Sequence, residues 1–209
     1  RSTLFPYTTL FRSPYRATRG AAAAAARDIR SQLRSGIAFV GENHELDAKH
    51  SVEVFRRVNA WPSPLRAVSL EAPHFGLNAS QLTPPNLAGV AIERQYRTIN
   101  DIARTRGGWF RSALEVSFHD GAIQNALPVN SNWLGLDRAA RPAGMALRNE
   151  FSANNIEALA TRLGGARGLY VLGGADHFTP SEFFRSIPEQ VNRLGRVILM
   201  ETHFRPPAP

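Results

Sequence analysis

The stretch Gly36-Ile37-Ala38-Phe39-Val40-Gly41-Glu42-Asn43-His44 decides the fold. Four apolar residues between glycines are too few for a helix and suit a buried strand. Chemistry-bearing residues follow at once. Glu42 and His44 lie two apart, so an extended exit from the strand projects both to one side, an acid and a base together.

The same pattern returns along the chain. Residues 66–70 form a second apolar run ending at Glu71, and residues 133–136 a third ending at Asp137. Residues 168–172 form a fourth before Gly173-Gly174-Ala175-Asp176-His177, and residues 196–200 a fifth before Glu201-Thr202-His203. In open α/β sheets ligands bind beyond the carboxyl ends of the strands, where acids and imidazoles here recur. Glu71 carries extra weight, because a carboxylate directly after apolar residues is costly to bury without a partner.

Helical segments separate these strands. Residues 20–35 are Ala-rich, with Ile29 and Leu33 four apart, and Gly36 ends them. Asp47 reads as the N-cap of a helix carrying Val52, Val54, Phe55 and Val58, closed at Pro62 and Pro64. A Pro-, Gly- and Asn-rich loop is expected over 73–86, long enough for a site wall. Helices are expected over 87–106 and 109–126, the second placing His119 on its surface. Residues 144–163 carry Ile156, Leu159, Ala160 and Leu163 at helical spacing, with Gly164 as the terminating glycine. A last helix is expected from Thr179 or Ser181 to about Leu194. Alternating strands and helices imply an α/β domain, a three-layer α/β/α arrangement around a largely parallel sheet of about five strands.

At these positions the sequence resembles the superfamily of Tiki-type proteases, haem-binding ChaN-like proteins and erythromycin esterases. Gly41-Glu42-Asn43-His44 is similar to its Gly-Glu-x-His signature, and Gly174-Ala175-Asp176-His177 to its second signature, Gly-x-x-His. Glu71 occupies the place of its acid. Arg148-Asn149-Glu150-Phe151-Ser152-Ala153-Asn154-Asn155-Ile156 is similar to its Arg-Asp-x-x-Met-Ala-x-x-Ile helix, with Asn149 where Asp is usual. The resemblance runs in order over residues 36–204. It implies a fold and a site without fixing one reaction.

Residues 1–13, Arg-Ser-Thr-Leu-Phe-Pro-Tyr-Thr-Thr-Leu-Phe-Arg-Ser, resemble a translated sequencing adaptor of the kind that recurs in metagenomic assemblies. They are set aside from fold reasoning. The domain is then residues 14–209. Since such a segment can replace a genuine start and any export signal, a bacterial protein in either the cytoplasm or an exported compartment is compatible with the chain.

Composition narrows the chemistry. Cysteine is absent, which removes disulfides, thiolate nucleophiles and Cys-ligated metals. The net charge of +8 comes from scattered Arg, with Lys49 the only lysine, so no basic run points to nucleic acid. No apolar stretch reaches the roughly 20 residues of a membrane span. No Gly-x-Ser-x-Gly elbow is present.

The expected function is hydrolysis of an ester, lactone or peptide bond, in a small molecule or peptide, with Glu42, His44, Glu71, His177 and Arg148 as the catalytic set. His44 or His177 activates water and Arg148 steadies negative charge. His44, His177, Glu42 and Glu71 are also the candidate ligands for zinc or manganese. His50, His74 and Asp137 are candidates for cofactor contact. The alternatives are a non-catalytic haem- or iron-binding protein using His in the same crevice, with Phe75 in its wall, and a bacterial toxin or effector domain.

Overall fold

The computed structural model describes residues 19–43, 48–71, 87–105, 113–119 and 141–204. The elements in chain order are α1 (Arg19–Leu33), β1 (Ile37–Glu42), α2 (Ala48–Asn59), β2 (Ala67–Leu70), α3 (Leu87–Arg104) and β3 (Glu115–Phe118). They continue as α4 (Arg141–Arg162), β4 (Leu169–Gly174), α5 (Ala175–Phe178), α6 (Ile187–Gln190), β5 (Gly195–Leu199) and α7 (Glu201–Phe204). The five strands form one sheet in the order β3-β2-β4-β1-β5, and every neighbouring pair is parallel.

Residue parity along the strands divides the core in two. Ala38, Val40, Val68, Leu70, Tyr170, Leu172 and Ile198 point to one face, where α1, α2, α3 and α7 cover them with Ile29, Leu33, Val54, Phe55, Tyr96, Ile99 and Phe204. Ile37, Phe39, Ala67, Leu169 and Val171 point to the other, against Ile156, Leu159 and Ala160 of α4, Phe178 of α5 and Ile187 of α6. The domain is α/β with a parallel central sheet, and its described helices make the three layers expected. Among the described residues no helix is long and apolar enough to cross a membrane.

Connections from β1 to β2 and from β2 to β3 run one way along the sheet through α2 and α3. Connections from β3 to β4 and from β4 to β5 run back over the opposite face. Such pairing of direction with face is what crossovers of a single hand require. At β4 the direction changes: its neighbours β1 and β2 both leave toward the first face, whereas β4 leaves toward the second. That juxtaposition is a topological switch point, the place where α/β sheets open a crevice.

Two expectations are corrected. The helix over 109–126 gives way at residues 115–118 to the edge strand β3, and His119 is buried at its end instead of lying on a helix surface. Val116 and Phe118 pack against the first face while Glu115 and Ser117 turn to the second, a two-residue alternation typical of a strand. The long helix from Thr179 or Ser181 to Leu194 is absent. Only α5 and the four-residue α6 are present, because Pro188 has no N–H to continue a helix and is tolerated only in a first turn. α4 does end where expected, with Gly164 at φ 69° closing it. The strand expected over 133–136, the loop over 73–86, the Asp47 cap and residues 1–13 lie outside the described residues.

Candidate functional site

Glu71 is the first residue after β2, and its parity sends its side chain to the second face, toward α4 and α5. Three groups from three other parts of the chain meet it there, and a fourth joins through His177. Arg148 of α4 donates from Nη2 to Glu71 Oε1 at 2.7 Å. The backbone N–H of Gly174, at the end of β4, donates to Oε2 at 2.7 Å. His177 of α5 places Nε2 3.4 Å from Oε1. Asn149, next to Arg148 on α4, places Oδ1 2.6 Å from His177 Nδ1. All these side chains are buried: Glu71 8%, Arg148 9%, Asn149 0% and His177 4% exposed.

Local structure accounts for each position. Gly173 lets Glu71 come this close, since a Cβ there would lie 3.1 Å from Glu71 Oε2 and 3.3 Å from Phe178 Cζ. α5 begins directly at Ala175, so the turn out of β4 carries His177 back over the strand end, with Phe178 anchored on Phe39 at a ring separation of 5.8 Å. Arg148, Ser152 and Asn155 recur on α4 at spacings of four and three residues, and the stripe continues into Ile156 and Leu159. One face of α4 thus changes from polar to apolar along its length. Asn155 Nδ2 donates to the carbonyl of His119 at 2.7 Å, tying α4 to the end of β3.

His119 adds a second polar group on the same face. Its Nδ1 is 3.2 Å from Ser69 Oγ, which also accepts from Ser117 Oγ at 3.2 Å. Ser69 precedes Glu71 by two residues and points the same way.

Glu42 stands apart from this set. Its parity with Ala38 and Val40 sends it to the first face, between α2 and α3. There it accepts from Ser51 Oγ, from Gln95 Nε2 at 2.6 Å and from Tyr96 Oη at 3.1 Å. It is 1% exposed. The Tyr170 hydroxyl lies near enough to feel its charge: burial first, and Glu42 second, push that phenol's ionisation above its ordinary range.

The structure therefore brings together Glu71, Arg148 and His177 of the sequence-based set and places Glu42 on the opposite face of the same sheet edge. His50 also lies on the first face, stacked on Phe204 at 4.6 Å. His203 faces Asp28 of α1 at 3.6 Å. His44, His74 and Asp137 lie outside the described residues.

Sequence reading gave Asn149 no role at His177 and gave none to Ser51, Gln95 or Tyr96. The polar spacing along α4 was the available signal for Asn149. For the Glu42 partners the parity of Ala38, Val40 and Glu42 was the signal, since it predicts a carboxylate aimed at a helix layer that must then supply donors.

The described residues fit a divalent ion poorly. Glu71 Oε1 is occupied by a guanidinium, Oε2 by an N–H, and His177 Nδ1 by Asn149. Among the described residues no three His, Asp or Glu groups are placed to share a metal. What the arrangement can do is move a proton: a buried imidazole beside a carboxylate whose charge is balanced by arginine. Comparison with protein-family models, curated proteins and solved structures finds no match to this chain.

Proposed function

We propose that the chain is a hydrolase of ester, lactone or peptide bonds that works by proton transfer at His177. The observation carrying this reading is the Glu71–His177 pair at 3.4 Å, buried at the carboxyl ends of β2 and β4 where the sheet switches direction. The motif resemblance over residues 36–204 is in keeping with it.

In this reading water attacks the carbonyl carbon while His177 Nε2 takes its proton, forming the new C–O bond and an imidazolium. Glu71 Oε1 stabilises that imidazolium, and Arg148 balances the carboxylate so that the cluster returns to its starting charge. Collapse of the tetrahedral adduct breaks the bond to the leaving oxygen or nitrogen, which takes the proton back from Nε2. A positioned acid–base group of this kind contributes roughly 10²- to 10⁴-fold in rate.

The test is an assay of the full chain on p-nitrophenyl acetate, a γ-lactone and a peptide mixture, each with and without zinc or manganese, for wild type and His177→Ala. Hydrolysis that falls at least about 100-fold in the variant is expected. Turnover unaffected by His177→Ala, or a His177-dependent Soret shift on haem titration without hydrolysis, overturns the reading.

A further inference from the structure

We infer that Asn149 is a positioning residue that fixes His177 as the Nδ1–H tautomer, leaving Nε2 as the nitrogen that gains and loses the proton. The inference rests on the proposed acid–base role of His177 for its functional meaning, but its geometry stands independently.

An amide side chain presents one oxygen and one nitrogen, and its orientation follows from its partners. Asn149 Nδ2 donates to the carbonyl of Arg185 at 2.9 Å, and a carbonyl can only accept. Its Oδ1 is then the atom 2.6 Å from His177 Nδ1, and an amide oxygen also only accepts. The hydrogen in that contact therefore belongs to Nδ1. The bond a histidine makes at one nitrogen sets the state of the other, so Nε2 carries the lone pair in the neutral ring.

The Arg185 carbonyl is itself held. It accepts from Gln190 Nε2 at 3.0 Å, and Arg185 Nη2 donates to the Glu189 carbonyl. Next to it, Ser186 donates from both N and Oγ to Glu189 Oε2 at 2.7 Å. The turn before α6 thus orients an amide on α4, which orients an imidazole on α5. Glu71, directly after β2, faces His177, and Arg148 of α4 pairs with Glu71. Both lie on the Nε2 side. Asn149 is neutral, so it selects the tautomer without adding charge, a separation of tasks that an aspartate there would not give.

The experiment is long-range ¹H–¹⁵N correlation NMR on the full chain labelled with ¹⁵N-histidine, with the His177 signals assigned by their loss in His177→Ala. Wild type is expected to show a protonated-type Nδ1 and an unprotonated-type Nε2 in the neutral ring. Asn149→Leu removes the acceptor and mixes the tautomers, whereas Asn149→Asp retains Nδ1–H. On p-nitrophenyl acetate, Asn149→Leu lowers kcat by at least about tenfold with KM little changed, and Asn149→Asp recovers part of the loss. A neutral wild-type ring protonated on Nε2 overturns the inference, as does a folded Asn149→Leu with its tautomer unchanged. Should wild type show the expected tautomer but hydrolyse nothing, the positioning stands and the hydrolase reading alone fails.

Discussion

Removing the charge of Glu71 alone, Arg148 alone, or both together gives a direct measure of how the second-face cluster is held. The pair is separated by 2.7 Å with each side chain 10% exposed, so water screens it little. At an effective dielectric near 20, two charges about 4 Å apart attract by about 4 kcal/mol. Removing one partner also leaves the other charged in a site made for an ion pair, which costs about 3–5 kcal/mol in buried pairs. Glu71→Gln keeps an amide oxygen for the Gly174 N–H but removes the carboxylate charge that balances Arg148. Arg148→Met removes the cation that balances Glu71 and leaves the carboxylate with the Gly174 N–H and His177. For a domain of this size, each is expected to lower Tm by about 10 °C, at about 2–4 °C per kcal/mol. The double variant leaves no buried charge unpaired at this contact and is expected to recover about 2–3 kcal/mol of the summed loss. Urea unfolding followed by circular dichroism, with m-values compared, reads all three. Single losses that add within about 0.5 kcal/mol would refute the coupling and with it the view that Arg148 serves chiefly to balance Glu71.

Tyr170→Phe removes a fully buried hydroxyl that has no hydrogen-bond partner among the described residues, so a gain of about 1 kcal/mol at pH 7 is expected in urea midpoint. Because burial and then Glu42 raise the folded ionisation of Tyr170, the folded state loses stability as pH climbs beyond the unfolded value of about 10. The Phe variant should show a flatter alkaline limb, and a steeper one would contradict this. Glu189 is held below the usual carboxylate range by the Ser186 hydroxyl, then by the Ser186 N–H, so its contribution is present above about pH 4.3 and falls away as pH drops through the lowered folded value. Glu189→Gln should reduce the acid sensitivity of the unfolding midpoint between pH 5 and pH 3, roughly the carboxylate range. Gly173→Ala puts a Cβ against Glu71 Oε2 and Phe178, and overpacking of about 1–3 kcal/mol is expected, with loss of p-nitrophenyl acetate hydrolysis exceeding the loss of folded protein. Unaltered kinetics in that variant would mean Glu71 tolerates displacement.

Much of the sheet was legible because its central strands announce themselves locally. Ile37–Val40 and Leu169–Leu172 are buried on both faces, so they read as continuous apolar runs closed by glycine. Edge strand β3 was missed for the converse reason. Glu115, Val116, Ser117 and Phe118 are partly exposed, alternate in polarity and are surrounded by residues of good helical propensity, so a helical window absorbs them. The site was half legible. Strand ends flagged Glu42, Glu71 and His177, but the face each one takes follows from parity: Glu42 is even with Ala38 and Val40, Glu71 odd to Val68 and Leu70. What parity could not supply is the contact between segments 77 and 28 residues apart that joins Glu71 to Arg148 and Asn149 to His177.

The way α4 is docked connects these points. Its second half meets the sheet through Ile156, Leu159 and Ala160, contacts that favour burial but are indifferent to small slides and rotations. Its first half and centre are held by directional bonds: Arg148 to Glu71 and Asn155 to the His119 carbonyl at strand ends, and Asn149 to the Arg185 carbonyl in the turn before α6. A modest rotation of the helix would keep much apolar burial yet break all three. Hydrophobic packing thus supplies the attraction while polar bonds select the rotation, and the selected rotation is the one that presents Oδ1 of Asn149 to His177. A helix held by apolar contacts alone would fold against the same sheet without placing that oxygen. The polar stripe of α4 is therefore a condition for the His177 geometry as much as a part of it.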